Sequence, residues 1–174
     1  MSEAQGGGVQ LFKGQEVGER YVLTGWNGEP IPLNDGCYLR LAISLYLGDS
    51  PEKGLKDVLK VRKASFQYQV DLAGDQWIFR YDYLREQQEA GLHPQAHLQL
   101  RGTLTEDGVL PPNQALERVH FPTGRFSLEA ALRLLADQFG VACNAEPELW
   151  RPALALSERA FIEIAHQPIS GPKE

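Results

Sequence analysis

An α+β fold, with an antiparallel β-sheet and two C-terminal helices packed on one face of it, is what this sequence predicts, and three observations predict it. Apolar residues recur at every second position over Cys37–Leu47, and again on both sides of a Gly74-Asp75 turn, which is the period of half-buried strands. Two segments towards the C-terminus carry apolar residues at helical spacing instead. The strands come first and the helices last, so the sequence does not alternate as a parallel α/β sheet requires. With 174 residues, 43% hydrophobic and 23% charged, the chain has the length and composition of one globular domain.

Residues 1–8, which include Gly6-Gly7-Gly8, read as a flexible leader, residues 9–167 as the single domain, and residues 168–174 as a flexible tail. Arg20–Thr24 is a short β-type run, and Gly25-Trp26-Asn27-Gly28 followed by Pro30 and Pro32 reads as turn and loop. The first clear strand is Cys37–Leu47, where Cys37, Leu39, Leu41, Ile43, Leu45 and Leu47 share a face and Arg40 and Ser44 lie on the other. Gly48-Asp49-Ser50-Pro51 breaks it. Ser50 as N-cap and Pro51 at the first helical position then predict a short helix over Pro51–Val61.

The most informative segment is the hairpin. Phe66, Tyr68, Val70 and Leu72 alternate with polar residues before the turn, and Trp77, Phe79, Tyr81 and Tyr83 alternate after it. A two-residue loop at Gly74-Asp75 would place Leu72 opposite Trp77, Val70 opposite Phe79, Tyr68 opposite Tyr81 and Phe66 opposite Tyr83, all on one face. Gln67, Gln69, Asp71, Ile78, Arg80 and Asp82 then form the wet face. Leu84–Gly91 is a charged connector, and a further strand is expected over Gln95–Leu104, with Ala96, Leu98, Leu100 and Leu104 on one side and His97, Gln99 and Arg101 on the other.

A loop with Asp107-Gly108 and Pro111-Pro112-Asn113 leads to a short segment at Arg118–Phe121, closed by Pro122-Thr123-Gly124. Ser127 is a good N-cap, and Leu128, Ala131, Leu132, Leu135 and Phe139 form one apolar stripe ending at Gly140. This helix is expected on the aromatic face of the sheet. A second helix runs from Glu146 or Pro147 to His166 with Trp150, Leu154, Ala160, Phe161 and Ile164 on its stripe, and Pro152 falls within its first turn or two, where it costs least.

No apolar run approaches the roughly 20 residues of a membrane-spanning helix, and Met1–Gly8 has no basic segment followed by an apolar one. A soluble, cytoplasmic protein without a membrane role is the expectation. Cys37 and Cys143 lack metal-ligand spacing and read as free buried thiols. The 17 basic residues against 23 acidic ones give a net charge of −6, which argues against general affinity for polyanions. Lys53, Lys56, Lys60, Arg62 and Lys63 nevertheless fall in one short stretch, read as a solvated cationic strip.

Two histidines, His93 and His97, sit four apart, but Pro94 and the alternation after it argue against a helix that would make them joint ligands. No metal or cofactor is expected. The chemistry the pattern does offer is proton transfer: Arg80, Asp82, His97, Gln99 and Arg101 all fall on polar strand faces by parity, and a histidine beside a carboxylate and two guanidinium groups can move protons at a phosphate ester. The plainer reading of the same residues is the solvent side of an antiparallel sheet. Gly-x-Gly-x-x-Gly, a phosphate loop ending in Gly-Lys-Ser or Gly-Lys-Thr, and Gly-x-Ser-x-Gly are all missing, so nucleotide-dependent chemistry and serine hydrolysis lose their usual support.

The string Ile78-Phe79-Arg80-Tyr81-Asp82, preceded by a strand and a Gly-Asp turn and followed by a histidine pair and a Ser-Leu-Glu helix start, resembles the TumE-like family of small bacterial toxin–antitoxin proteins. The resemblance covers about Phe66 to Phe139. It implies a compact antiparallel sheet with a C-terminal helix, a toxin–antitoxin or related stress or defence setting, a cognate antitoxin or other protein partner, and action on RNA. The matching residues are Arg80, Tyr81 and Asp82, with His93, His97 and His120 as further matches. Taken with the acid–base reading, the catalytic candidates are Arg80, Asp82, His97, Arg101 and His120. The competing expectation is a non-catalytic module that binds a protein partner through its sheet edge or final helix. The oligomeric state is left open.

Overall fold

The structure, a computed structural model, describes residues 9–13, 21–50, 54–85, 95–101 and 121–165. The candidates His93 and His120, together with His166, Lys53, Leu104, the expected leader and tail and the segment before Phe121, lie outside the described residues. The strands are β1 (Val9–Lys13), β2 (Tyr21–Gly25), β3 (Ile31–Pro32), β4 (Tyr38–Ser50), β5 (Leu55–Gln69), β6 (Trp77–Leu84), β7 (Ala96–Leu100) and β8 (Phe121–Pro122), followed by α1 (Leu128–Gln138) and α2 (Pro147–Ala165). The strands form one antiparallel sheet in the order β1-β2-β4-β5-β6-β7-β8, and β3 continues the row of β2 along β4. The fold is α+β, as the alternation followed by helical spacing predicts.

One face of the sheet makes the core. Leu39, Leu41 and Ile43 of β4, Ala64, Phe66 and Tyr68 of β5, Phe79, Tyr81 and Tyr83 of β6 and Ala96 of β7 are all buried on it. Helix α1 lies over this layer, because Ala131 and Leu135 are one turn apart on its apolar stripe and both are buried against the sheet. Ser127 caps α1 by accepting the Ala130 N–H at 2.9 Å. Ring packing ties the layers together: Tyr68, Phe79 and Phe139 meet with centroids 5.0–5.8 Å apart, and Phe66, Tyr81 and Phe126 form a second trio.

Helix α2 packs against α1. Its half-buried positions Trp150, Leu154, Glu158 and Phe161 form one stripe, while Ala160, expected on that stripe, is exposed. Glu158 pairs with Arg133 and Asp137 with Arg151 across the two helices. The guanidinium of Arg125 lies between the rings of Tyr83 and Phe161, 4.7 Å and 5.4 Å from their centroids, and so joins α2 to the sheet.

Several expectations are corrected. Gly48-Asp49-Ser50 does not break the first clear strand, because β4 runs on to Ser50 and stays paired with β5. The helix expected over Pro51–Val61, whose residues 51–53 lie outside the described residues, is replaced from Leu55 onwards by the first half of β5, paired with β4 from Ser50↔Leu55. The helix-start signal at Ser50-Pro51 is local, and pairing along the whole of β4 outweighs it. The hairpin does not turn at two residues. Asp71 accepts the N–H groups of Gly74, Asp75 and Gln76, Gly74 adopts φ +87°, and Val70 N–H donates to Gln76 O at 2.7 Å, so the chain from Val70 to Gln76 is a self-satisfied loop. Val70 and Leu72 are therefore exposed instead of core.

The register moves with the loop: Phe66 faces Tyr81 and Tyr68 faces Phe79, a slip of two residues that keeps parity and leaves these rings on the core face. A bulge then inserts Ile78, so Tyr68 pairs with Phe79 but Gln69 pairs with Trp77. Ile78 consequently packs towards the core, and Trp77, expected there, moves to the opposite face.

Candidate functional site on the polar sheet face

The face away from the helices is built from rows that cross the central strands. Arg40, Gln67, Arg80 and Gln99 stand in register in one row, and Ala42, Ser65, Asp82 and His97 in the next. One row further stand Ser44, Lys63 and Leu84, and at the other end Tyr38, Gln69 and Trp77. Period-two alternation puts these residues on one side for the same reason that it puts the aromatics on the other.

Three of the sequence candidates meet there. Asp82 and His97 are direct cross-strand partners, with His97 Nε2 3.9 Å from Asp82 Oδ2. Arg80 Nε lies 2.8 Å from the same oxygen, an ion pair in which the N–H is not aimed along a hydrogen bond. Arg80 Nη2 donates to Gln99 Oε1 at 2.6 Å, and Ser65 Oγ donates to Asp82 Oδ1 at 2.8 Å. The Asp82 carboxylate is thus held by one hydroxyl and one guanidinium while facing an imidazole. Arg80 and Asp82 side chains keep 38% and 32% of their surface exposed, so the pair is open to a ligand, and His97 keeps 12%.

Arg101 stands at the border of this face. Its backbone N–H donates to Ile78 O at 3.0 Å and its guanidinium donates to Asp75 O in the β5–β6 loop. Arg40 reaches the same loop, with Nη2 3.3 Å from Ala73 O. Asp71, in the same loop, has its carboxylate turned onto the loop's own backbone. Although partial burial opposes ionisation, three N–H donors and the charge of Arg101 hold its carboxyl below the usual range.

The residues at these register positions give the face a charge of its own. Arg40, Lys63 and Arg80 stand on it against the carboxylate of Asp82, with Arg101 at its border, although the whole chain has 17 basic residues and 23 acidic ones. Among the described residues no group of three or more His, Cys, Asp and Glu side chains could hold a metal ion, and no helix is long and apolar enough to cross a membrane.

No family model, curated protein or solved structure matches the chain.

Two other places gather polar groups. A cavity of about 370 Å³ lies between the end of α1 and the start of α2, lined by Val141, Cys143, Asn144, Trp150 and Arg151 among others, and it contains none of the sequence candidates. On the core side, Tyr68 donates its hydroxyl proton to Asp35, and burial together with that bond pushes the phenol well above its ordinary pKa. Cys37 and Cys143 are both free, but Cys37 is only half-buried and Cys143, expected to be buried, is exposed in the segment after α1.

Sequence parity finds Arg80, Asp82, His97 and Gln99. It misses Ser65 and misplaces Trp77. Ser65 is legible in principle, since it precedes Phe66 on a strand whose core positions are plain, whereas the Trp77 reversal depends on a bulge that leaves no alternation signal.

Proposed function

We propose that this polar sheet face binds RNA and transfers protons at a phosphodiester without a metal, in a protein acting within a bacterial toxin–antitoxin or related defence setting. The observation that carries the reading is the cross-strand pairing of Asp82 with His97, 3.9 Å apart, on a face whose cations outnumber its acids. The resemblance of Ile78–Asp82 to the TumE-like family points to the same residues.

The chemistry asked of them is modest. His97 takes the proton of a ribose 2′-hydroxyl as its oxygen attacks phosphorus, the bond from phosphorus to the 5′-oxygen breaks, a proton from water satisfies the leaving oxygen, and the imidazolium gives its proton to the hydroxide left behind. Asp82 stabilises the imidazolium that forms, and Arg80, with Arg101 at the border, offsets the charge that builds on the phosphate. A cyclic phosphate and a 5′-hydroxyl result, with no change in oxidation state.

Incubation of the purified chain with end-labelled RNA in the presence of a chelator tests this. The expected result is cleavage that leaves cyclic-phosphate ends and disappears in His97→Ala. Intact RNA with the folded wild-type protein, or undiminished cleavage by His97→Ala, removes the catalytic reading.

A second reading, a protein-interaction module, has one observation in its favour. Leu149 and Leu156 of α2 are each 69% exposed on the side of the helix away from α1. Under that reading Leu156→Glu weakens binding to the product of a neighbouring gene and leaves RNA untouched in every variant.

A further inference from the structure

Trp77 is the one large aromatic side chain that the β5–β6 bulge transfers from the core set to the polar face. Two observations fix its side: it pairs in register with Gln69, which continues the Ser65 and Gln67 row positions, and its ring lies 5.7 Å from the Arg80 guanidinium. It is only partly buried. Arg80 stands in the next row, and Arg40 and Arg101 both reach the β5–β6 loop that precedes it.

An indole set among guanidinium groups on an open sheet face is the arrangement that binds unpaired nucleic acid. The ring stacks on a base, which every nucleotide offers, and the cations follow the phosphates. A duplex keeps its bases stacked on one another and offers a ring at mid-strand nothing to stack on.

We propose that Trp77 is the stacking platform for an unpaired base, and that the ligand of this face is therefore single-stranded RNA. The inference rests on the RNA reading above and narrows it. Trp77 and Asp82 stand opposite Gln69 and Ser65 of β5, four register positions apart across the bulge, which at about 3.3 Å per position is roughly 13 Å. A base on Trp77 lies well away from the phosphate beside His97, so Trp77 acts on binding and not on the proton transfer.

The test is fluorescence anisotropy with the full chain and a 2′-O-methyl oligonucleotide, which cannot be cleaved through its 2′-oxygen, offered as a single strand and as the annealed duplex. Stacking of one base on an aromatic ring is worth about 1–3 kcal/mol, so Trp77→Ala is expected to weaken single-strand binding by roughly fivefold or more, with Trp77→Phe retaining most of it. Scanning an abasic nucleotide along the strand is expected to find a position that costs wild type the same factor and costs Trp77→Ala nothing, which separates stacking from any loss of fold. In cleavage assays Trp77→Ala is expected to raise KM and leave kcat nearly unchanged.

Wild-type binding that Trp77→Ala matches, that shows no sensitive abasic position, or that is equally tight for duplex overturns this inference and leaves the RNA reading standing. Wild-type protein that binds neither form overturns both.

Discussion

Phe79 and Arg80 are neighbours in the chain and opposites in environment. Phe79 is 1% exposed and packed among Tyr68, Phe139 and the stripe of α1, whereas Arg80 reaches across a polar row to Asp82 and Gln99 and stays more than a third exposed. The same contrast holds along β6 for Tyr81 and Asp82. One strand therefore supplies both the packing that holds the sheet to its helix and the groups available for chemistry. Changes on one face should register as stability, and changes on the other as activity.

The largest effect that would break this contrast is at Phe79. Phe79→Ala is expected to lose about 3–5 kcal/mol in urea unfolding, from lost burial and the cavity left behind. Arg80→Ala, one residue on, is expected to cost less than about 1.5 kcal/mol, the range of an ordinary hydrogen bond, while abolishing RNA cleavage. Equal losses of stability would show that the polar face is structural after all.

Tyr81→Phe sharpens the comparison within the core. Its hydroxyl accepts the Phe126 N–H at 3.0 Å, and burial raises the phenol pKa, so the group is neutral and its bond anchors the entry to α1. Its removal leaves a partly buried N–H without that acceptor and is expected to cost about 1–2 kcal/mol. An unchanged unfolding midpoint would mean that the rings alone hold that corner.

The loop bordering the polar face should respond to pH. The Asp71 carboxyl is depressed in the folded state, so its contribution is fully present above the ordinary aspartate range and is lost as pH falls through the lower folded value. Wild type should accordingly exceed Asp71→Ala in stability at neutral pH, with the gap closing on acidification in paired urea titrations. A gap that widens in acid would contradict the role given to its three N–H donors.

The smallest expected effect is at the loop's apolar side chains. Val70→Thr and Leu72→Ser should each stay within about 0.5 kcal/mol of wild type, because both are about half exposed. A two-residue hairpin would have buried them, and a core loss of several kcal/mol would restore that register.

Much of this contrast is legible in the amino-acid sequence alone. Alternation over Leu39–Ile43 and on β6, and the Ser127 cap with its stripe, place the core because burial imposes its period directly on the sequence, although Leu47, expected on the same buried face, is 41% exposed. Illegible are the places where pairing overrides local signals. Ser50-Pro51 reads as a helix start because nothing local signals that β4 runs through Ser50 and pairs back onto Leu55. Val9–Lys13 gives no strand signal, since an exposed edge strand need not alternate strictly. Asp71 gives the one hint of a wider loop, a side-chain acceptor three residues before a glycine, and the bulge at Ile78 that turns Trp77 outward gives none. Parity assigns Asp82 and His97 to polar faces, but only the strand order makes β6 and β7 neighbours and sets the two side by side.

That adjacency is tested most directly by a double-mutant cycle on RNA cleavage, using Asp82→Asn, His97→Ala and the combined variant. If Asp82 acts through the imidazole across the strand, the double variant is no slower than His97→Ala alone, because a partner has nothing left to support once His97 is gone. Losses that multiply in the double variant would show two independent roles and contradict the working pair proposed for this face.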